Sequence, residues 1–324
     1  MSDIICVDGL IKEYAGIKVV DGVSFSVNKG EIYGLLGRNG AGKTTIMKIL
    51  LGLANPTSGK VSILGKDMSV NSEKKVLKKV GCIIENPGFY SNLTGTENLE
   101  IFAKLRGLDQ DSVKKALELV NLPYKDKKIF SKYSLGMKQR LAIANAIMHN
   151  PEILVLDEPI NGLDPIGIAE VRELLKKFKE SGISILISSH ILSELENVAD
   201  RISIIDFGKM IEEINMKEWK NKQNSDIRVF VKEVDIAKKI LFKIGIEEQN
   251  ILEFSEGILI QNSQLSTTEL NKVFVNNNID LIGIVEDKTS LEDYFKKVTG
   301  GQGIGCCLNL RKIKDQRQFI YQVY

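Results

Sequence analysis

The segment from Gly37 to Thr44 contains the residues of this chain that are best suited to bind phosphate. It reads Gly-Arg-Asn-Gly-Ala-Gly-Lys-Thr, which is the G-x-x-x-x-G-K-[ST] spacing of a phosphate-binding loop. The apolar run 32–36 before it predicts a buried strand, and residues 45–50 after it predict a helix. Glycines let the backbone N–H groups surround phosphate oxygens, and the helix N-terminus adds its positive dipole end. The sequence therefore predicts a site for a nucleoside triphosphate.

Within this loop, two side chains have predicted roles of their own. The Lys43 ammonium group supplies positive charge to the β- and γ-phosphates, and the Thr44 hydroxyl is suited to ligate Mg²⁺. The alternative is a glycine-rich turn that matches the pattern by coincidence, which the strand before it and the helix after it argue against. The predicted nucleotide contacts of this segment are Gly37, Arg38, Asn39, Gly40, Ala41, Gly42, Lys43, Thr44 and Thr45.

A pair of carboxylates follows a second apolar run. Residues 153–156 read Ile-Leu-Val-Leu and are followed by Asp157 and Glu158. Carboxylates at the carboxyl end of a strand in this kind of sheet lie near the phosphate site. Asp157 is predicted to hold Mg²⁺ through water, and Glu158 is placed to orient or deprotonate an attacking water. The alternative is purely structural, an acidic turn after a strand.

A Ser/Gly turn lies between these two motifs. Residues 134–140 read Ser-Leu-Gly-Met-Lys-Gln-Arg and open a helical stretch that continues through 141–148. Free N–H groups at the start of a helix are suited to bind phosphate. By itself the turn is weak evidence, because Ser is a common residue at a helix N-terminus.

Together, these motifs resemble those of ATP-binding cassette (ABC) ATPases over residues 1 to about 210. The resemblance implies ATP and Mg²⁺ as cofactors, catalytic roles for Lys43, Glu158 and His190, and a metal site at Thr44, Glu85 and Asp157. It also implies nucleotide-site roles for Tyr14 (stacking on adenine), Glu85 (the lid-loop position that usually holds Gln), Ser134 and Gly136 (the signature sequence), Asp164 (the loop after the catalytic Glu) and His190 (the switch histidine at the γ-phosphate).

Three of these implied residues have a purely structural alternative. Tyr14 could be a strand aromatic that packs on its own sheet. Glu85 could be a surface acid of an exposed loop. His190 could be a core histidine whose ring is satisfied by neighbours.

A narrower resemblance rests on three segments. The Glu-for-Gln change in 84–87, the signature variant in 133–139 and the ending 290–295 look like bacitracin-resistance and lantibiotic-immunity exporters. This resemblance implies the ATP-hydrolysing subunit of a bacterial exporter that confers immunity or resistance to a peptide antibiotic. The wider resemblance to ABC ATPases implies a homodimer in the ATP-bound state. Since the chain has no apolar run near the ~20 residues of a membrane helix, a separate integral-membrane permease is the implied partner.

The alternative function is a soluble ABC-type ATPase in DNA maintenance or translation. Against it, the net charge of +2 gives no sign of a nucleic-acid partner. A P-loop kinase or GTPase would leave the 134–140 turn and His190 unexplained. For the exporter subunit, the expected location is cytoplasmic, peripheral on the inner face of the cell membrane, where the permease would hold it.

The predicted fold class is α/β. Strands that alternate with helices indicate a parallel-sheet core, and residues 4–27, with turns at 15–16 and 21–22, indicate an antiparallel sheet. The resemblance adds a helical subdomain, and the β-α-β-β-α-β order near the C-terminus predicts a small α+β ferredoxin-like domain. The predicted boundaries are 1–212 for the ABC ATPase domain, 213–226 for a linker, 227–299 for the accessory domain and 300–324 for a tail expected to be poorly ordered.

Overall fold

The computed structural model describes residues 3–68, 71–85, 88–222, 225–263, 265–287 and 291. These residues fall into two compact units, one up to Asn215 and the other beginning at Met216. The predicted tail 300–324 and most of the predicted last helix 290–297 lie outside the described residues.

Ten strands of the first unit form two sheets. An antiparallel sheet has the order β2-β1-β4-β5, and a six-stranded sheet has the order β10-β9-β3-β8-β7-β6. The strands are β1 (Asp3–Tyr14), β2 (Ile17–Asn28), β3 (Ile32–Leu36), β4 (Ser58–Ile63), β5 (Lys66–Asp67), β6 (Val80–Ile83), β7 (Ile153–Leu156), β8 (Ser184–Ser189), β9 (Arg201–Asp206) and β10 (Lys209–Asn215).

Parallel pairing in the six-stranded sheet brings the candidate motifs to one edge. Strands β3 and β7 are buried along their whole length, as expected for apolar strands in the middle of a parallel sheet. Leu36 pairs with Ser189 and Leu156 pairs with Ile187, so β3, β7 and β8 end side by side. The predicted parallel-sheet core is confirmed, with β10 added antiparallel to β9 at one edge.

Besides 3₁₀ helices at Asn71–Lys79 and Phe130–Lys132, the described part of the first unit has six α-helices between these strands. They are α1 (Lys43–Leu50), α2 (Gly95–Arg106), α3 (Gln110–Leu119), α4 (Leu135–Ile147), α5 (Pro165–Glu180) and α6 (Leu192–Glu196). Helices α2 to α4 form the predicted helical region, and α2 begins with a capping box between Thr94 and Glu97. Within the described part of the chain, every helix is too short or too polar to span a bilayer.

The antiparallel sheet differs from the prediction at one point. The turn at 15–16 joins β1 to β2 as expected, but Asp21 and Gly22 lie inside β2 and do not form a turn. The pairing shifts there, because Leu10 faces Val23 whereas Lys12 faces Val20. Gly22 has a φ of 70°, a conformation that glycine allows both in turns and in β-bulges.

The second unit has the predicted β-α-β-β-α-β order. After helix α7 (Met216–Lys222) come β11 (Ser225–Val231), α8 (Val234–Lys243), β12 (Ile251–Phe254), β13 (Gly257–Ser263), α9 (Thr267–Asn276) and β14 (Leu281–Asp287). The sheet order is β12-β13-β11-β14, and every pair is antiparallel. Segment 213–226, predicted as a linker, holds the end of β10, helix α7 and the start of β11.

The core of this second unit provides a test of the fold. Phe274 on α9 is fully buried, whereas its neighbour Val275 is 57% exposed. Phe274→Ala should lower the stability of the unit by about 3–5 kcal/mol through lost burial and a cavity. Val275→Ala should change it by less than about 0.5 kcal/mol.

Trp219 offers a direct readout, because it is the sole tryptophan of the chain and belongs to this unit. Its fluorescence during a urea titration should show an earlier midpoint for Phe274→Ala. Equal midpoints for the two variants would contradict the placement of Phe274 in the core.

Candidate functional site

The phosphate loop begins where β3 ends, and two of its glycines fit for steric reasons. A Cβ atom on Gly37 would lie 2.3 Å from the carbonyl oxygen of Ile205. At Gly42 it would lie 2.6 Å from the carbonyl oxygen of Val19, and this residue also has a φ of 106°. Gly42 precedes Lys43, the first residue of α1, so the motif forms the predicted strand–loop–helix.

Lys43 carries a buried positive charge at the centre of the site. Its side chain is only 5% exposed. The ammonium group donates to the carbonyl oxygens of Gly37 at 2.6 Å and Arg38 at 3.3 Å, and it lies 3.2 Å from Oε1 of Glu158. A buried charge is tolerated only with such partners. The strand β7 motif and the phosphate loop therefore meet at Lys43.

Asp157 joins α1 to the edge of the sheet. Its Oδ2 accepts a hydrogen bond from the Thr44 hydroxyl at 2.7 Å, and its Oδ1 accepts one from the Ser188 hydroxyl at 2.5 Å. Ser188 in turn accepts a hydrogen bond from the backbone N–H of Glu158 at 2.9 Å. Sequence reasoning missed Ser188, whose one signal was a serine at the end of an apolar strand.

Glu158 lies between Lys43 and His190. Its Oε1 faces the Lys43 ammonium group, and its Oε2 lies 2.6 Å from Nδ1 of His190. The backbone of Glu158 has a φ of 48°, which is uncommon for a residue with a Cβ and is found at functional sites. The carboxylate is about one-fifth exposed, so water can reach a group held by two partners.

A buried acid supports the turn that carries His190. The Ser189 hydroxyl donates to Oε2 of Glu194 at 2.5 Å and accepts from the Ile191 N–H at 2.9 Å. Glu194 is 4% exposed, and burial raises the pKa of its carboxyl group. This contact fixes the backbone on both sides of His190. No motif in the sequence pointed to Glu194.

The structure thus brings together the side chains of five predicted site residues, through direct contacts and through the Ser188 hydroxyl. They are Lys43, Thr44, Asp157, Glu158 and His190. Both predicted carboxylates and the predicted histidine lie at the carboxyl edge of the parallel sheet, next to the phosphate loop.

Two predicted residues have other partners. Glu85 is 64% exposed and pairs with Lys48 at 2.6 Å. Tyr14 is 45% exposed, and the Lys12 ammonium group lies 4.4 Å from its ring centroid. Their roles at the metal and at adenine stay predictions.

The residues of the signature and of the loop after Glu158 lie at helix starts. Ser134 is the N-cap of α4 and accepts from the Met137 N–H at 3.2 Å. Asp164 is the N-cap of α5 and accepts from the Gly167 N–H at 2.9 Å. Gly136 lies in the first turn of α4 with open space around it. Ser134 and Asp164 are exposed, so both helix N-termini begin at the surface.

Within the phosphate loop, the side chains differ in surroundings. Asn39 and Gly40 are exposed, Ala41 is buried and Thr45 is half-buried on α1. Arg38 pairs with Asp206 at 2.8 Å. Sequence reasoning identified the loop but gave no partner for Arg38.

The oxygen donors of the site fit Mg²⁺. The Thr44 hydroxyl and the Asp157 carboxylate meet at 2.7 Å, and both are the hard oxygen ligands that Mg²⁺ prefers. Among the described residues, no three His, Cys, Asp or Glu side chains gather to hold a metal.

Known proteins that are similar to this chain include ATP-binding proteins of transporters. A family model described as ABC transporter matches residues 20–161. The bacitracin transport ATP-binding protein BcrA of Enterococcus faecalis is 48% identical over 94% of this chain and 99% of that protein. The lantibiotic transport ATP-binding protein SrtF of Streptococcus pyogenes is 44% identical over 67% of this chain and 92% of that protein.

A solved structure shares the fold of the first unit. The dimeric post-hydrolysis state of an ATP-binding cassette bound to ADP and Pi is similar with a TM-score of 0.60 and 24% identity. The match covers 65% of this chain and 98% of that one.

Glu158→Gln tests the chemistry assigned to the carboxylate. The variant keeps the shape of the side chain and the Lys43 site, so ATP binding should persist. Hydrolysis should slow by about 10²–10⁴-fold, the range for loss of a general base. Glu170→Gln on the exposed part of α5 is a control for the change in charge. Phosphate release and nucleotide binding should be measured together, and normal turnover of Glu158→Gln would contradict the assignment.

Proposed function

Since the chain belongs to the ATP-binding proteins of ABC transporters, we propose that it hydrolyses ATP to drive export of a peptide antibiotic through a separate membrane permease. The observation that carries the cargo class is the 48% identity to a bacitracin transport protein along 94% of this chain. That similarity extends through the second unit and is not limited to the motifs that ABC ATPases share.

The site geometry supports a simple division of work during hydrolysis. Backbone N–H groups of the loop and the Lys43 ammonium group bind the β- and γ-phosphates. Glu158 accepts a proton from the water whose oxygen bonds to the γ-phosphorus, while the bond from that phosphorus to the bridging oxygen breaks and ADP leaves. His190 holds the Glu158 carboxylate through Nδ1 at 2.6 Å.

Mg²⁺ would be held by Thr44 and Asp157, with Glu85 proposed near its water shell. The cation would supply positive charge that offsets the charge of the triphosphate. The Ser188 hydroxyl fixes one oxygen of Asp157. The other carboxylate oxygen of Asp157 then faces the Thr44 hydroxyl on α1.

We further propose that ATP closes a head-to-tail dimer with two sites. The exposed turn at Ser134 and Gly136 would face the γ-phosphate bound by a second copy, where the N-terminus of α4 adds positive dipole charge. Asp164 would lie at the same interface. A dimeric cassette among the structural neighbours supports this arrangement.

Ser134→Arg tests the dimer. The isolated monomer should bind ATP with unchanged affinity, because its own phosphate loop is intact, whereas hydrolysis should fall by at least about 10²-fold as charge stabilisation is lost. Ser131→Arg, an exposed serine just before the turn, is the matched control. ATPase rates should be measured against protein concentration. A wild-type rate per chain that stays constant at high dilution would contradict the shared site.

The permease is proposed to contact the Glu85 loop and the helices that follow it. Glu85 is well exposed and its backbone has a φ of 59°, so its carboxylate lies at the surface of the first unit. The chain would then work on the cytoplasmic face of the membrane, attached through its partner.

Glu85→Ala tests the proposed coupling and the cargo together. Cells that carry the chain and its permease should lose resistance to the cognate peptide, while the purified variant keeps most of its basal ATPase activity. Glu152→Ala, an exposed acid paired with Lys79, is the control. Growth inhibition by bacitracin and by a lantibiotic should be compared. Full resistance with Glu85→Ala would show that the residue is a surface acid.

A further inference from the structure

The β9–β10 turn, residues 206–209, packs against the phosphate loop. The backbone N–H of Gly208 donates to the carbonyl oxygen of Ala41 at 3.1 Å. The carbonyl oxygen of Gly208 accepts from the N–H of Asp21 at 2.8 Å. The turn is therefore bonded to the phosphate loop on one side and to strand β2 on the other.

Arg38 forms the side-chain part of this contact. Its Nη2 lies 2.8 Å and 2.9 Å from the two carboxylate oxygens of Asp206, and its Nε lies 3.2 Å from one of them. The guanidinium carbon also lies 4.9 Å from the ring centroid of Phe207. Asp206 is only 13% exposed and Arg38 26% exposed. A forked pair that is mostly shielded from water is strong and fixes orientation.

The backbone of the β9–β10 turn and of the phosphate loop is closely packed against neighbouring carbonyl groups. A Cβ atom on Gly208 would lie 2.7 Å from the carbonyl oxygen of Val19, the same atom that blocks a Cβ on Gly42. The oxygen of Ile205 likewise blocks a Cβ on Gly37. The first and last glycines of the phosphate loop thus lie against β9 and β2, and Arg38 follows the first of them directly.

We propose that Asp206 is a positioning residue for ATP binding, which acts by holding Arg38 and thereby the binding conformation of the phosphate loop. The Arg38 guanidinium group is then a structural partner of the turn and not a ligand of the triphosphate. This role rests on the proposed ATP binding and is independent of cargo and permease. Lys43 keeps the role of the cation that meets the phosphates.

The size of the effect depends on the fraction of loops that stay in the binding conformation. If loss of the pair leaves one loop in ten in the binding conformation, the apparent Kd for ATP rises about tenfold. Once ATP is bound, the chemistry at Glu158 is unchanged. The Michaelis constant for ATP should therefore rise about tenfold, while kcat at saturating ATP should change less than about twofold.

The test uses the full-length chain with Asp206→Asn, Arg38→Gln and the double variant. ATP affinity is measured by calorimetry, and the Michaelis constant and kcat by phosphate release. Glu152→Gln, which neutralises an exposed acid paired with Lys79, is the control for charge. Each single variant should weaken ATP binding about tenfold, and the double variant should be no more than about twofold weaker than either single variant.

The direction in which Asp206→Asn changes ATP affinity distinguishes the proposal from its main alternative, in which Arg38 binds the triphosphate. If Arg38 binds the triphosphate directly, Asp206→Asn frees its charge and should tighten ATP binding, and Arg38→Gln should reverse that gain. Either tighter binding or an affinity within twofold of the unmodified chain would overturn the proposal. Loss of binding by the unmodified chain itself would instead refute the proposed function.

Arg38→Lys provides a second route if an Asp206 variant does not fold. Lysine keeps the positive charge but lacks the planar fork that contacts both oxygens of Asp206. ATP binding should weaken about threefold or more with kcat retained. Full affinity with lysine at this position would show that only the charge matters, and the positioning role would be wrong.

Discussion

The buried ammonium group of Lys43 is the interaction on which the rest of the site depends. At 5% exposure this charge cannot rely on water, so the protein must surround it with acceptors. The carbonyl oxygens of Gly37 and Arg38 provide two of them, and Glu158 provides the third partner. These partners come from the loop after β3 and from the end of β7. The positive charge therefore holds the two motifs together, and the same charge is the one that a triphosphate would meet.

Short hydroxyl groups extend this arrangement across the sheet. Ser188 on β8 bridges the Asp157 carboxylate and the Glu158 N–H, and Thr44 reaches Asp157 from α1. Strand β8 and helix α1 thus each hold a residue of the segment that follows β7. Each of the adjacent carboxylates thus has partners of its own, which are Thr44 and Ser188 for Asp157 and Lys43 and His190 for Glu158. Such partners offset the repulsion between two neighbouring carboxylates.

Much of the fold and of the candidate site could be predicted, because the local sequence determines the elements that form them. Strands β3 and β7 have the expected bounds, since fully apolar runs between turns leave little choice, and α9 begins at a Ser266 capping box that its sequence displays. The sequence predicts a turn at Gly22 where the structure has a shift of strand register, because glycine with a positive φ occurs both in turns and in β-bulges. Partners such as Asp206 for Arg38, or Lys48 for Glu85, lie far away in the sequence. Only the tertiary pairing of strands and loops brings them together, so no local pattern could indicate them.

The proposed function of the whole site depends on whether Lys43 binds the triphosphate. Calorimetric titration of ATP into the full-length chain measures this, with Lys43→Ala compared against Lys79→Ala, which removes an exposed ammonium group from a surface pair. We expect Lys79→Ala to bind ATP like the unmodified chain. We expect Lys43→Ala to weaken ATP binding by at least about 10²-fold, since a charge-assisted contact to phosphate is lost from a buried site. Equal ATP affinity in the two variants would contradict this role of Lys43.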